Sequence, residues 1–220
     1  MKNFGMILGL WLLLGAIAEA EPSMVNIGVQ ATEELLVIDA ELVDAFTEKM
    51  EEVIDSGVPI RLNYYVELRK RASIFGDTLV GSNKILNTVQ YDSLQKVYRF
   101  SSSGKSVKRT VQTHDKERCQ LLMTTLKNIP VAPLYKLEPR EKYYVRIKAE
   151  LEADEFIFPF NYLLFFVPFG GFKTSWSQSS LLAFDSGLPF SQEASQSGRG
   201  NRAKESPGTM KNVVRSFNQR

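Results

Sequence analysis

Apolar and polar residues alternate along two segments of the chain, 60–69 and 143–151. In each segment every second side chain is apolar, and most of the residues between them are charged or polar. A period of two is typical of a β-strand that buries one face and exposes the other to water. Because antiparallel sheets commonly have one wet face, both segments are predicted to be antiparallel strands.

Shorter stretches of the same pattern predict further strands. Residues 36–42 alternate, and a weaker strand is predicted before them at 25–29. Residues 85–91 and 97–101 are expected to pair as a hairpin across a loop of ordinary length. A short strand is predicted to follow at 107–111.

Two segments have helical spacing instead. Thr47 is placed to cap the first helix, which Gly57 ends. The second helix is predicted to begin near Asp115 and to stop at Asn128 and Pro130. The apolar side chains predicted on the two inner faces are Met50, Val53 and Ile54, and Cys119, Leu122, Met123 and Leu126. Together these elements predict an α+β fold, mainly an antiparallel β sandwich or sheet with two short helices packed at its edge.

The first twenty residues have the order of a secretory signal peptide. Lys2 precedes an apolar run over residues 4–17, and Ala18-Glu19-Ala20 is the small-residue pattern at which such peptides are cut. The run is shorter than the roughly 20 residues that a membrane span needs. We therefore expect cleavage after Ala20 and export, to a periplasmic location; an uncleaved N-terminal anchor is the alternative.

The rest of the chain divides by composition into a domain and a tail. Residues 21–185 suit a single β-rich domain. Residues 186–220 are rich in Ser, Gln, Gly and Arg, with few large apolar side chains. Such a segment cannot bury enough surface to offset its ordering entropy, so a disordered basic tail is predicted. The formal net charge of +2 gives no argument for a nucleic-acid partner.

The residue inventory limits the available chemistry. Cys119 is the only cysteine and His114 the only histidine, and together they cannot fill a structural tetrahedral zinc shell. A catalytic triad would need His114, which has no evident serine or cysteine partner motif. We predict no catalytic residue, metal or cofactor. Cys119 is expected to be a small buried core residue and His114 a solvated loop residue.

Catalysis by carboxylates is the one catalytic function that this set of residues leaves possible. Six of them crowd the region around the first helix, and a glycosidase needs two carboxyl groups at a suitable separation. A helix N-terminus also attracts acidic residues through its dipole, which is a structural explanation for the cluster. The six are Asp39, Glu41, Asp44, Glu48, Glu51 and Glu52.

The segment 156–169 is unusually aromatic. A short apolar run bounded by prolines is typical of a buried strand. Alternatively, part of it forms an exposed contact patch for a membrane surface or an envelope protein, because aromatic rings suit such contacts. The candidate patch consists of Phe158, Phe160, Tyr162, Phe165, Phe166 and Phe169.

Several short motifs occur in a fixed order along residues 25–177. They are IDAEL (38–42), SGVP (56–59), YYVEL (64–68), VQYDSL (89–94), VYR (97–99) and YYVRIKAEL (143–151). In this order they resemble an uncharacterised bacterial family, the domain-of-unknown-function family numbered 4390. The resemblance implies an exported bacterial protein without an assigned activity, encoded in some genomes beside sensor histidine kinase genes, and it supplies no catalytic residues.

Two functions are compatible with these observations. The first is a non-enzymatic binding or interaction module of the bacterial envelope, whose partner is an envelope protein or a membrane surface. The second is a carboxylate-dependent hydrolase that acts on an envelope glycan.

Overall fold

The computed structural model describes residues 20–72, 76–152, 171–184 and 191–192. The elements, in chain order, are β1 (Ser23–Ala31), β2 (Leu35–Val43), α1 (Glu48–Asp55), β3 (Ile60–Lys70), β4 (Thr78–Asp92), β5 (Val97–Gly104), β6 (Val107–Thr113), α2 (Lys116–Thr124), β7 (Thr125–Pro133), β8 (Lys142–Leu151), β9 (Phe172–Lys173), β10 (Ser177–Gln178), β11 (Leu182–Ala183) and β12 (Ser191–Gln192). A single 3-10 turn, Leu134–Lys136, separates β7 from β8.

The strands form two antiparallel sheets. The large sheet has the order β12-β11-β8-β3-β4-β5-β6, and β9 and β10 also pair with β8. The small sheet has the order β1-β2-β7. The two segments with the clearest alternation, β3 and β8, are neighbours in the large sheet, where Leu62 pairs with Leu151 and Val66 with Ile147.

Strands β9, β10 and β11 follow one another along β8 as one interrupted strand. Leu151 pairs with Phe172, Ile147 with Ser177 and Tyr143 with Leu182. Each step of four residues on β8 is therefore matched by five residues on the other strand, which is the geometry of a β-bulge. At the two interruptions, side-chain hydroxyls accept the backbone bonds of β8: Thr174 Oγ1 from Ala149 N and Ser179 Oγ from Val145 N, each at 3.0 Å.

One hydrophobic core joins the two sheets and the helices. The inward faces of β3 and β8 contribute fully buried side chains such as Leu62 and Ile147, and β2 contributes Leu36 and Ile38 from the opposite side. Helices α1 and α2 add Met50, Val53, Ile54, Cys119 and Met123 to the same core. The predicted α+β class, an antiparallel β structure with two short helices, is confirmed.

The first helix has the predicted ends. The Thr47 side chain accepts a hydrogen bond from Met50 N at 3.3 Å. Gly57 adopts φ +84°, a left-handed conformation that suits glycine after a helix. Both signals act within one helical turn, so the sequence alone was enough to identify them.

The predicted end of the second helix is wrong. Helix α2 stops at Thr124, and β7 runs directly on through Asn128 and Pro130. Pairing with β2 overrides the helical spacing, and Leu126 reaches the core from a strand. Pro130 is tolerated next to a register irregularity between β2 and β7, where the ladder is already interrupted.

Three sequence predictions fall partly or wholly on residues that the structure does not describe. The signal peptide lies there except for Ala20, and so does the whole of segment 156–169. Within the predicted tail 186–220, only Ser191 and Gln192 are described, and these two residues form β12 on β11.

Candidate functional site

Cys119 and His114 lie in the environments that were predicted. Cys119 is buried, and burial raises the pKa of its thiol to about 11, so the thiol is protonated at neutral pH. His114 is exposed, with its Nδ1 atom 2.8 Å from the carbonyl oxygen of Lys96. No group of three or more histidine, cysteine or acidic residues in the described part of the chain could hold a metal ion.

Two of the predicted carboxylates stabilise the small sheet. Asp39 accepts a hydrogen bond from Asn128 N at 2.8 Å, and Glu41 accepts one from Asn26 Nδ2 at 2.7 Å. Asn26 and Asn128 both have positive φ values, of 51° and 52°. Each carboxylate therefore supports a strand at a point where its backbone departs from regular geometry.

A third carboxylate, Glu51, belongs to a cluster that connects the two helices. Lys116 Nζ lies 2.9 Å from Glu51 and 2.8 Å from Asp55. Tyr98 donates a hydrogen bond to Asp55 at 2.9 Å, and Gln120 donates one to Glu51 at 2.9 Å. The cluster thus joins α1 to α2 and to β5.

The electrostatics of this cluster do not suit a general acid. The hydrogen bond from Lys116 is the main cause that lowers the pKa of Glu51. A glycosidase acid needs the opposite shift, which keeps a carboxyl protonated near neutral pH. Glu48 lies with Glu51 in the first turn of α1, where acidic side chains favour the positive end of the helix dipole.

A groove of about 290 Å³ lies between the β5–β6 half of the large sheet and the α2–β7 segment. Strand β7 is the last strand of the small sheet, whereas the large sheet continues past β4 with β5 and β6. The small sheet therefore leaves this half without a facing strand, and α2 covers part of it. The groove is lined by Asn87, Phe100, Ser102, Val107, Arg109, Leu121, Leu122, Thr125, Leu126, Lys127 and Ile129.

The groove wall consists mainly of apolar side chains and also contains two cationic ones, Arg109 and Lys127. Leu121 is 63% exposed, an unusual value for a large apolar residue, which makes it an accessible part of the wall. Arg109 pairs across the strands with Ser102, so both side chains lie on the face that lines the groove. Lys127 is 61% exposed and lies 3.7 Å from Asp39. The described lining residues include no carboxylate.

One polar side chain of the groove lining, Asn87, has a buried atom without a hydrogen-bond partner among the described residues. Asn87 is 1% exposed; its Nδ2 donates to the carbonyl oxygen of Met123 at 3.1 Å, and its Oδ1 accepts nothing. The Ser102 side chain also lines the groove and is mostly buried. An unpaired buried polar atom costs about 1–3 kcal/mol, and Asn87 Oδ1 carries this cost because it has almost no accessible surface.

Sequence patterns did not identify this groove. Residues 102–104 were not expected in a strand, whereas β5 continues to Gly104 and brings Ser102 onto the inner face. The lining residues lie between positions 87 and 129 on five elements, so only the strand order brings them together. An excess of basic residues in 105–109, with Lys105, Lys108 and Arg109, was the available local signal.

The aromatic contact patch predicted at Phe158, Phe160, Tyr162, Phe165, Phe166 and Phe169 lies outside the described residues. Nearby, Trp176 is described: the guanidinium carbon of Arg146 lies 4.2 Å from its ring centroid. Among the helices that the structure describes, none is long and apolar enough to cross a membrane.

Comparison with known proteins gives one match. A family model described as "Domain of unknown function (DUF4390)" matches residues 19–180, which confirms the resemblance found in the sequence motifs. No curated protein and no solved structure matches the chain.

Proposed function

The chain belongs to the domain-of-unknown-function family DUF4390, whose description assigns no activity, and we propose that it is an exported, non-enzymatic binding module of the bacterial envelope. The observation that carries the proposal is the groove beside α2. Its wall combines an exposed leucine, two cations and polar side chains such as Ser102, and it contains no carboxylate among the described lining residues. Pockets of this kind, mostly apolar with a few polar groups, are typical binding sites.

The hydrolase alternative gains no support from the geometry of the described residues. Asp39 and Glu41 are bound to strand backbone and side chains, and Glu51 shares Lys116 with Asp55. A retaining or inverting glycosidase needs one carboxyl with a raised pKa facing a second across the substrate. Binding through the groove is therefore the function we favour.

Site-specific crosslinking in the envelope tests the proposal. A photoreactive amino acid at Leu121, on the groove wall, should give a discrete crosslinked product in cells that export the protein. The matched control is Leu94, which is 95% exposed and lies in the turn between β4 and β5, outside the groove lining. Products of equal yield from Leu94, or no product from Leu121, Leu122 or Arg109, would contradict binding through the groove.

A further inference from the structure

Strand β6 forms one end of the large sheet. It pairs with β5 from Val107–Gly104 to Thr113–Tyr98 without a register shift, and no other described residue pairs with its outer side. The strand contains no proline, and four of its seven residues are valine or threonine, which favour extended backbone. An edge of this kind is a template on which another strand can pair.

The other outer strands of the two sheets have features that hinder such pairing. Strand β1 has a register irregularity after Val25 and a positive φ of 51° at Asn26. Strand β7 contains Pro130 and Pro133, and Asn128 has a φ of 52°. Strand β12 has two residues. Because prolines and bulges protect an edge, β6 is the long regular edge in the described part of the chain.

The backbone groups that face outward alternate along β6. A two-residue turn, Lys105-Ser106, joins β5 to β6, so Gly104 and Val107 on either side of it form a hydrogen-bonded pair. From this pair onwards residues 109, 111 and 113 bond to β5, whereas residues 108, 110 and 112 direct their N–H and C=O groups away from it. The edge can therefore bind an extended chain through main-chain hydrogen bonds.

Three cations determine which strand suits this edge. Lys105, Lys108 and Arg109 are exposed, and none of them forms an ion pair with another described residue. Opposite charges on neighbouring strands stabilise a sheet, and like charges destabilise it. Lysine on an edge also discourages indiscriminate pairing. An acidic strand is therefore the best match for β6.

The acidic residues that follow β8 in the same chain cannot reach this edge. Residues 152–155 contain three carboxylates and directly follow Leu151. Leu151 and Arg109 lie in one row across the large sheet, which consists of Leu151, Leu62, Asn87, Ser102 and Arg109. Four strand spacings of about 4.8 Å place Arg109 about 19 Å from Leu151. Four residues of chain span at most about 14 Å, so residues 152–155 end before β6.

The C-terminal segment and the β6 strand of a second copy both have the wrong charge. Residues 193–220 contain six basic side chains, at 199, 202, 204, 211, 215 and 220, against two acidic ones, at 193 and 205. Two β6 strands side by side would bring Lys108 and Arg109 of both copies together without a carboxylate between them. The occupant is consequently sought in another protein.

We propose that β6 binds an extended acidic segment of an envelope protein, which adds to the large sheet as a further strand. The inference rests on the proposed function, because Val107 and Arg109 of β6 belong to the groove wall. The backbone of the segment pairs with residues 108, 110 and 112, and its carboxylates lie opposite Lys108 and Arg109. Alternate side chains of the added strand face the groove.

Selection from random peptides supplies the probe. A phage-displayed library of 12-residue peptides is selected on the mature full-length protein, and the enriched peptides are synthesised and titrated by fluorescence polarisation. We expect Asp or Glu among β-branched and aromatic residues. Methylation of one peptide nitrogen at a time should weaken binding roughly tenfold or more at every second position and by less than about twofold between them, because only alternate N–H groups face β6.

The variant Thr110→Pro tests the edge on the protein itself. The N–H of Thr110 faces away from β5, so proline blocks the outer side without removing a hydrogen bond to β5. Affinity for the enriched peptides should fall roughly tenfold or more, whereas Thr110→Val, which keeps the N–H group, should stay within about twofold of the unmodified protein. Thermal unfolding checks that both variants fold, and the methylated peptides need no variant.

The charge requirement is tested at the same edge. Lys108→Glu/Arg109→Glu should weaken binding of the enriched peptides roughly tenfold or more, because it places like charges opposite each other. The control Lys108→Arg/Arg109→Lys keeps both charges and should stay within about twofold of the unmodified protein. Raising the salt concentration to 0.5 M NaCl should weaken binding to the unmodified protein.

The outcomes separate this inference from the proposed function. Enrichment of basic peptides or of none, methylation effects without a period of two, or a dimer that Thr110→Pro dissociates would each overturn the added acidic strand. Crosslinking at Leu121 that is unchanged by Thr110→Pro would also overturn it and would keep the binding module. Failure of crosslinking at every groove position, with peptide binding that Thr110→Pro abolishes, would contradict binding through the groove and keep the added strand.

Discussion

Gly81 lies at a close approach between strand β4 and the small sheet. A Cβ atom at this position would lie 2.7 Å from the carbonyl oxygen of Val131 and 2.8 Å from the Cβ of Ala132. Because Val131 and Ala132 belong to β7, which pairs with β2, their backbone cannot move away cheaply. The residue therefore sets the distance between the two sheets, although nothing in the local sequence distinguishes it from a glycine in a turn.

Replacing Gly81 with alanine should destabilise the protein by about 1–3 kcal/mol, the usual cost of overpacking a filled core. The free energy of unfolding is measured in urea, with the fluorescence of Trp176, the only tryptophan after residue 20, as the signal. Gly28→Ala is the control, because the nearest neighbour of its Cβ would be Asp39 Cβ at 3.9 Å. Equal stability of the two variants would contradict a close approach at Gly81.

Glu150 gives the protein a contribution to stability that depends on pH. Hydrogen bonds from Lys148 and then Lys173 lower the pKa of this carboxyl from 4.5 to about 2. Since the pKa is lower in the folded state, the contribution is fully present above pH 4.5 and is lost as the pH falls towards 2. In Glu150→Gln the free energy of unfolding should therefore fall less steeply between pH 4.5 and 2.

Glu152→Gln is the control for this titration, because Glu152 is an exposed carboxyl two residues further along the chain. Its unfolding curve shows how much of the change comes from removing a carboxyl group alone. Parallel curves for Glu150→Gln and the unmodified protein would show that the lysine contacts do not persist in solution.

At the scale of secondary-structure elements, the junction between α2 and β7 shows where sequence patterns lose their predictive power. The caps of α1 were predictable because Thr47 and Gly57 act on residues within one turn. The end of α2 depends instead on Tyr64, whose hydroxyl donates to the carbonyl oxygen of Met123 at 2.7 Å across 59 positions of sequence. Asn87 donates to the same carbonyl. A hydrogen-bonded helix end built from such distant partners leaves no periodic signal.

Tyr64→Phe should cost about 0.5–1.5 kcal/mol of unfolding free energy, because the Met123 carbonyl loses one of its two donors while the aromatic ring keeps its packing. Tyr135→Phe is the control, since Tyr135 is 84% exposed and has no hydrogen-bond partner in the described ranges. Denaturant unfolding of both variants is the measurement. If Tyr64→Phe is as stable as Tyr135→Phe, Tyr64 does not help to end the helix.

At the scale of the whole molecule, alternation predicted the antiparallel β-rich fold but not the partners of each strand. The pattern in residues 60–69 shows that one face is buried, and it contains no information that β4 lies on one side of this strand and β8 on the other. The groove could not be predicted for the same reason. It exists because β7 ends the small sheet while β5 and β6 extend the large one, a consequence of strand order that no single segment encodes.

The proposed export gives a prediction about the whole chain. Because Ala18-Glu19-Ala20 has the small-residue cleavage pattern, protein purified from the native envelope should begin at Glu21. Intact-mass measurement or N-terminal sequencing shows whether the protein begins at Glu21. Retention of Met1 would favour the uncleaved anchor, and Ala20→Arg, which places a large charge at the cut, should cause accumulation of the uncut form.

The strand order also determines when the protein can fold. Leu62 in β3 pairs with Leu151 in β8, and Ile38 in β2 pairs with Ile129 in β7. When the chain emerges N-terminus first, the small sheet therefore cannot be completed before β7, and the large sheet cannot be completed before β8. Until then the apolar faces of the earlier strands stay exposed. Such non-local pairing is slow, so refolding of the mature protein should take milliseconds to seconds in stopped-flow fluorescence of Trp176. Refolding in microseconds would contradict this prediction. Slow folding would make the newly emerged chain a substrate for chaperones that shield unpaired strands.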